Sequence, residues 1–148
     1  MRAGSTSGFS IIELTVTLAL VAVLVAIALP GWNRLLPGYY LESSVRQLQS
    51  ELHTIKMRAA AENLSFQLSY NDGASEYVLQ QDGKNAIAKP LPNGVSIVKA
   101  GTISFSPRGT ARSNRVRLQA QDGSCAQIVV SATGRVRSCK ATACGSDC

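Results

Sequence analysis

The sequence predicts an α+β chain: one long N-terminal helix packed on a small antiparallel β domain of about seven strands. Three observations carry this reading. Residues 9–29 form a predominantly apolar run of 21. Apolar residues then recur at helical spacing from Leu41 to Ala59. After Asn63 the apolar period falls to two, and turn signals follow at short intervals.

The apolar run comes first. As a helix rising 1.5 Å per residue it spans roughly 30 Å, the thickness of a hydrocarbon core. Residues 9–30 are therefore expected to cross a membrane. A cleaved secretory signal is the ordinary alternative, with Ala26-Ile27-Ala28 as its small-residue cleavage site. Three features oppose it. The leading segment carries a single base, Arg2; the run is longer than a typical signal core; and a carboxylate, Glu13, lies inside it. A carboxylate within lipid costs on the order of 2.5–3.5 kcal/mol. A cut between Gly8 and Phe9 would free an α-amino group four residues from Glu13. That amine would pair with Glu13 of its own chain or of a neighbour, relieving two desolvation penalties at once.

The helix continues through residues 31–62. Leu41, Val45, Leu48, Leu52, Ile55 and Ala59 follow steps of four and three, one apolar stripe of an amphipathic helix. The opposite face carries Glu42, Arg46, Glu51, Lys56, Arg58 and Glu62. A single helix from residue 9 to about 62 would be roughly 80 Å long. Pro30-Gly31 should kink it, and Pro37-Gly38 should kink or break it again. His53, the only histidine, reads as a surface or half-buried structural residue.

From Asn63 onward the pattern is that of strands and turns. Leu64, Phe66, Leu68 and Tyr70 alternate with polar residues, and Asn71-Asp72-Gly73 turns the chain towards Tyr77-Val78-Leu79. Gln81–Asn85 contains the next turn. Val95–Val98 and Thr102–Phe105 read as short strands, and Ser106–Asn114 as a loop. Arg115–Gln121 alternates cleanly, with Val116, Leu118 and Ala120 on one face. Asp122-Gly123 turns into Cys125–Ser131, and Thr133-Gly134 turns into Arg135–Cys139. The strands read as a meander forming one or two small sheets, with Ala141–Cys148 as a loop held by disulfides.

Charge divides the chain unevenly. Residues 1–98 hold seven Lys/Arg against seven acids, whereas residues 99–148 hold eight bases against Asp122 and Asp147, so the whole net charge of +6 lies in the last third. Such asymmetry points to a polyanion or an anionic surface, or to a solvated basic face. All four cysteines, Cys125, Cys139, Cys144 and Cys148, lie there too. Their spacing fits no paired-knuckle zinc pattern. Outside the cytoplasm disulfides are the default, and four cysteines allow three pairings.

Two stretches carry a family resemblance. Gly8-Phe9-Ser10-Ile11-Ile12-Glu13-Leu14 resembles the processing signal of type IV pilins and type II secretion pseudopilins. Phe105 followed by Gly109, a strand pair, and then Ser131-x-x-Gly134-Arg135-Val136 resembles the domain shared by H-type pseudopilins and FimT/FimU-type minor pilins. The resemblance implies an 8-residue leader, removed by a prepilin peptidase that cuts after Gly8 and N-methylates Phe9. It implies that Glu13 guides subunit docking and that the partners are other pilins in a filament. It places the chain in the inner membrane as a single pass, with residues 63–148 in the periplasm, and then in a pilus or pseudopilus.

No nucleophile motif, histidine–carboxylate set or phosphate-binding glycine loop is present, so neither an enzyme nor a cofactor is expected. The sharpest candidate site is Gly134-Arg135-Val136-Arg137. On a strand, Arg135 and Arg137 share a face, and Arg115 and Arg117 repeat that geometry. Arg108, Arg112 and Lys140 lie close in sequence. Guanidiniums suit bidentate phosphate contact. FimT-type pilins carry a similar Gly-Arg-x-Arg motif, which the resemblance links to DNA binding in natural transformation. With no aromatic residues interleaved, binding would be to phosphates and independent of sequence. In H-type pseudopilins, by contrast, the same arginine would only pair with an acid of a neighbouring subunit, in a purely structural subunit of a secretion filament.

Overall fold

The computed structural model describes residues 9–141, 144 and 145. The chain forms two compact units, Met1–Leu35 and Leu36–Cys148. Helix α1 (Ile11–Glu62) begins in the first. Ser10 caps it: the hydroxyl accepts from the Ile12 N–H at 3.3 Å and the carbonyl from the Leu14 N–H at 3.1 Å. Residues Ile11–Ala28 have a mean hydropathy of 2.7, and none of them is buried within the chain. Phe9 and Ile11 are each 81% exposed. Apolar surface this continuous is at home against lipid or protein rather than water.

The helix is unbroken through both Pro-Gly pairs. The break considered at Pro37-Gly38 does not occur. An interior proline removes one hydrogen bond, and the flanking turns keep the rest, so the helix persists.

The second unit contains the rest of α1 and eight strands: β1 (Phe66–Tyr70), β2 (Glu76–Gln81), β3 (Lys84–Pro90), β4 (Val95–Ile97), β5 (Gly101–Phe105), β6 (Asn114–Ala120), β7 (Cys125–Val130) and β8 (Val136–Ala141). They make two antiparallel four-stranded sheets, ordered β3-β2-β1-β5 and β4-β6-β7-β8. The chain thus departs from a simple meander at β4, which crosses to the second sheet before β5 returns to the edge of the first. The strand absent from the sequence reading is β3. Its residues have no apolar alternation and are nearly all exposed, so period gives no signal. A two-residue Asp82-Gly83 turn, both residues at positive φ, closes the hairpin that makes it.

The core is the apolar stripe of α1 against both sheets. Leu48, Leu52 and Ala59 are fully buried, and Leu41, Val45 and Ile55 nearly so. Facing them are Phe66, Leu68, Tyr77, Ile103 and Phe105 from the first sheet and Val116, Leu118, Ile128 and Val130 from the second. Polar contacts fix the flanks. Lys89 makes an ion pair with Glu51 at 2.8 Å, and Gln47 donates to the Pro90 carbonyl at 3.1 Å, both tying α1 to the first sheet. Arg58 lies 4.8 Å over the Phe66 ring.

Tyr70 joins the sheets. Its hydroxyl donates to the Arg115 carbonyl on β6 at 3.0 Å. The ring lies over Gly101, its partner on β5, where an added Cβ would come 2.7 Å from the hydroxyl. Only glycine leaves room for that approach. Burial pushes the Tyr70 phenol up to about 12. The folded value is raised above the unfolded one near 10. The neutral phenol therefore stabilises the fold below pH about 10, and that contribution is lost as pH climbs towards 12. Tyr70→Phe is expected to remove the phenolate absorbance step near pH 12 and to flatten the loss of thermal stability between about pH 10 and 12.

Candidate functional site

The second sheet has one face in the core and one turned outward, and the register sorts its charges. Arg115 pairs with Val129, which pairs with Arg137, so these two arginines stand in one row of the outer face. The next row is Arg117, Gln127 and Cys139. Arg117 donates to the Gln127 side chain at 3.3 Å, and Gln127 is buried. Two predicted members depart from this face. Arg135 precedes β8, in the connection after the turn, so it is not a strand residue. Lys140 pairs with Ala126 and belongs to the opposite face.

The reason for the Lys140 difference is parity: it is three residues from Arg137, an odd step, so the pleat sends it towards the helix. There it lines a groove of about 530 Å³ with Leu41, Val45, Glu42 and Arg46. Arg46, hydrogen-bonded to Glu42 at 2.6 Å, holds that carboxyl below its usual range, and the Lys140 charge adds to the effect. Asp122, at the same end, is lowered by the Ser124 hydroxyl and N–H it accepts from.

The other end of the sheet is built by two loops of one design. In Ser106-Pro107-Arg108-Gly109 and Ser131-Ala132-Thr133-Gly134, the glycine N–H donates to the serine carbonyl at 2.9 Å. In each the serine N–H donates to the carbonyl four residues on, Thr110 or Arg135, at 2.9 and 3.0 Å. Both glycines sit at positive φ, +74° and +72°, which closes the hairpin. The loops dock on one another. The Ala111 N–H donates to the Ala132 carbonyl at 3.0 Å, and a Cβ on Gly134 would run into the Gly109 carbonyl. Arg108, Arg112 and Arg135 thus occupy one docked pair of loops, beside Arg137, and all four are exposed. Residues 106–113 and 131–137 contain no Asp or Glu.

One residue here carries no sequence signal. Lys56 was expected on the solvent face of α1. Instead it is half-buried, and its Nζ donates to the Gly134 carbonyl at 2.9 Å. It sits one position from Ile55 of the buried stripe, and periodicity alone cannot turn it inward.

The cysteines form disulfides: Cys125 is bonded to Cys144 with Cα atoms 5.3 Å apart, and Cys139 is also bonded. Gly8 and Cys148 lie outside the described residues. Phe9 and Glu13 are exposed at the start of α1, with Glu13 in its first turn, where the helix dipole favours a carboxylate.

Residues 44–134 match the family model of type II transport protein GspH. Two solved structures share the fold. The minor pseudopilin EpsH of the type 2 secretion system of Vibrio cholerae superposes with a TM-score of 0.58 at 10% identity, over 68% of this chain and 96% of that one. The type IV minor pilin FimU of Pseudomonas aeruginosa gives 0.55 at 13% identity, over 70% and 94%. No curated protein matches the sequence.

The Cys125–Cys144 bridge closes a loop of 19 residues. In the chain-entropy account a loop of that size contributes about 3 kcal/mol. Cys125→Ala with Cys144→Ala is expected to lower unfolding stability by about that amount in a denaturant titration.

Proposed function

This chain belongs to the GspH family of type II transport proteins, and on that premise we propose that it is a membrane-anchored minor pilin whose arginine end binds DNA. The coarse assignment, a minor pilin or pseudopilin, follows from the family and the fold. Such subunits assemble with other pilins and are not enzymes.

Residues 9–30 supply the anchor, spanning the inner membrane with residues 63–148 in the periplasm. Disulfide formation supports that side, because the cytosol keeps thiols reduced. The leader 1–8 is removed by prepilin peptidase after Gly8, Phe9 becomes the methylated first residue, and Glu13 guides docking in the filament. Intact-mass measurement of the mature chain is expected to give a start at Phe9 carrying one methyl group; a chain starting after Ala28 would exclude this processing.

The observation that carries the DNA reading is the docked loop pair with its exposed arginines. These lie at the Lys56 end of the buried stripe, where Lys56 reaches the Gly134 carbonyl. The opposite end, near Leu41, is the one lined by Lys140. Location at a filament tip would leave that arginine end accessible. Arg135→Gln with Arg137→Gln, in the full chain in nonionic detergent, is expected to weaken binding of a mixed-sequence duplex about tenfold at low salt. The slope of log K against log salt should shrink by about 1.8, the value for two phosphates. Unchanged binding would exclude the site.

The second reading is an H-type pseudopilin with a purely structural role in protein secretion. The family description and the EpsH likeness favour it. It requires that deleting the chain stops secretion, that the double arginine variant restores it fully, and that the parent chain binds no DNA.

A further inference from the structure

We infer that Lys56 is a positioning residue for an enlarged phosphate-binding surface in which Arg108 and Arg112 act together with Arg135 and Arg137. This rests on the DNA reading above and extends it to residues outside the Gly-Arg-x-Arg motif.

The geometry is specific. The Lys56 Nζ donates to the carbonyl of Gly134, the residue immediately before Arg135. Its stem crosses both loop glycines. A Cβ on Gly134 would lie 3.1 Å from the Lys56 Cε, and a Cβ on Gly109 3.7 Å from the same carbon. Lys56 therefore fills the junction between the loops from the helix side. The junction is closed elsewhere by the Ala111–Ala132 hydrogen bond and the bridge between Phe105 and Ala111. One of the three ammonium donors of Lys56 is engaged by the Gly134 carbonyl, and that bond holds the turn. The arginines beyond it are the exposed ones.

The chemistry favours a nucleic-acid backbone. Four guanidiniums, three on the two clamped loops and Arg137 on the adjoining β8, can engage phosphates, each by a bidentate fork. Residues 106–113 and 131–137 contain no Phe, Tyr or Trp. Base stacking, the main attraction for single strands, is therefore missing, and a duplex backbone is the better ligand.

The test uses the full chain in nonionic detergent and a fluorescent mixed-sequence duplex, read by anisotropy across a salt series. Arg108→Gln with Arg112→Gln changes only exposed side chains. It is expected to weaken binding about tenfold and to reduce the salt slope by about 1.8. Lys56→Met is expected to weaken binding several-fold in the parent chain. Its effect should be smaller once Arg135→Gln and Arg137→Gln are present, and Lys56→Arg should restore affinity. That lack of additivity separates positioning from a general loss of stability, which would act in every background.

If the Arg108/Arg112 variant binds like the parent while the Arg135/Arg137 variant does not, the enlarged surface is wrong and the DNA reading stands. If Lys56→Met costs as much in the Arg135/Arg137 background as in the parent, Lys56 is not acting through that turn. Preferential binding of single strands over duplex, or of phosphatidylserine vesicles over duplex at equal phosphate, would overturn the assignment to a duplex backbone.

Discussion

The globular unit depends on one strip of side chains. Among the described residues, Leu41, Val45, Leu48, Leu52, Ile55 and Ala59 are the part of α1 buried in the core, and two separate sheets close on them. Each large member contributes about 2 kcal/mol on burial, so the five of them match the net stability of a typical domain. The helix is thus the shared wall of the core, and the side chains flanking the strip decide how each sheet meets it. Gln47 and Glu51 hold the first sheet, through Pro90 and Lys89, and Lys56 reaches the connection between β7 and β8.

The same wall accounts for the two glycines. For α1 to lie against the second sheet, the loops after β5 and β7 must pass close together beneath Lys56. At Gly134 that approach leaves no space for a Cβ, and both residues need a left-handed backbone. Glycine is demanded by φ and by contact at Gly134, and by φ at Gly109. The motif of Phe105, Gly109 and Ser131-x-x-Gly134 is therefore a packing motif first. Its consequence is local: the backbone from which Arg108 and Arg135 project is held by contacts between the two loops.

Much of this was legible in the sequence. The helical stripe was readable residue by residue because its period is that of a helix with one buried face. Most strands were readable because each sheet also buries one face, which gives alternation. β3 was not, since it lies on an edge with both faces open and follows no pattern. The exchange of β4 and β5 between sheets was hidden as well; alternation reports which face is buried and never which strand is adjacent. At the site, parity placed Arg115, Arg117 and Arg137 together. The reading of Arg135 as a strand residue failed because the hairpin connection runs one residue further than the turn signal indicates. Lys140 was grouped with them by proximity in sequence, which the pleat overrides. Lys56 was illegible, because a lysine beside a buried stripe looks the same whether it turns out or in.

The two ends of the second sheet use cations differently, and this difference bears on function. Near Leu41, Lys140 and Arg46 stand beside Glu42, whose carboxyl they hold in its charged form, and Asp122 is close by. Those charges are compensated within the chain. At the other end, the docked loops hold arginine without acid, and the Lys56 amine is already committed to a carbonyl. A Debye length of about 8 Å at physiological salt keeps the two ends electrostatically separate. The arginine end thus retains its positive potential whatever the balance near Leu41. What sets the two ends apart is this segregation of bases from acids, and two turns of like design, clamped by Lys56, hold the basic one.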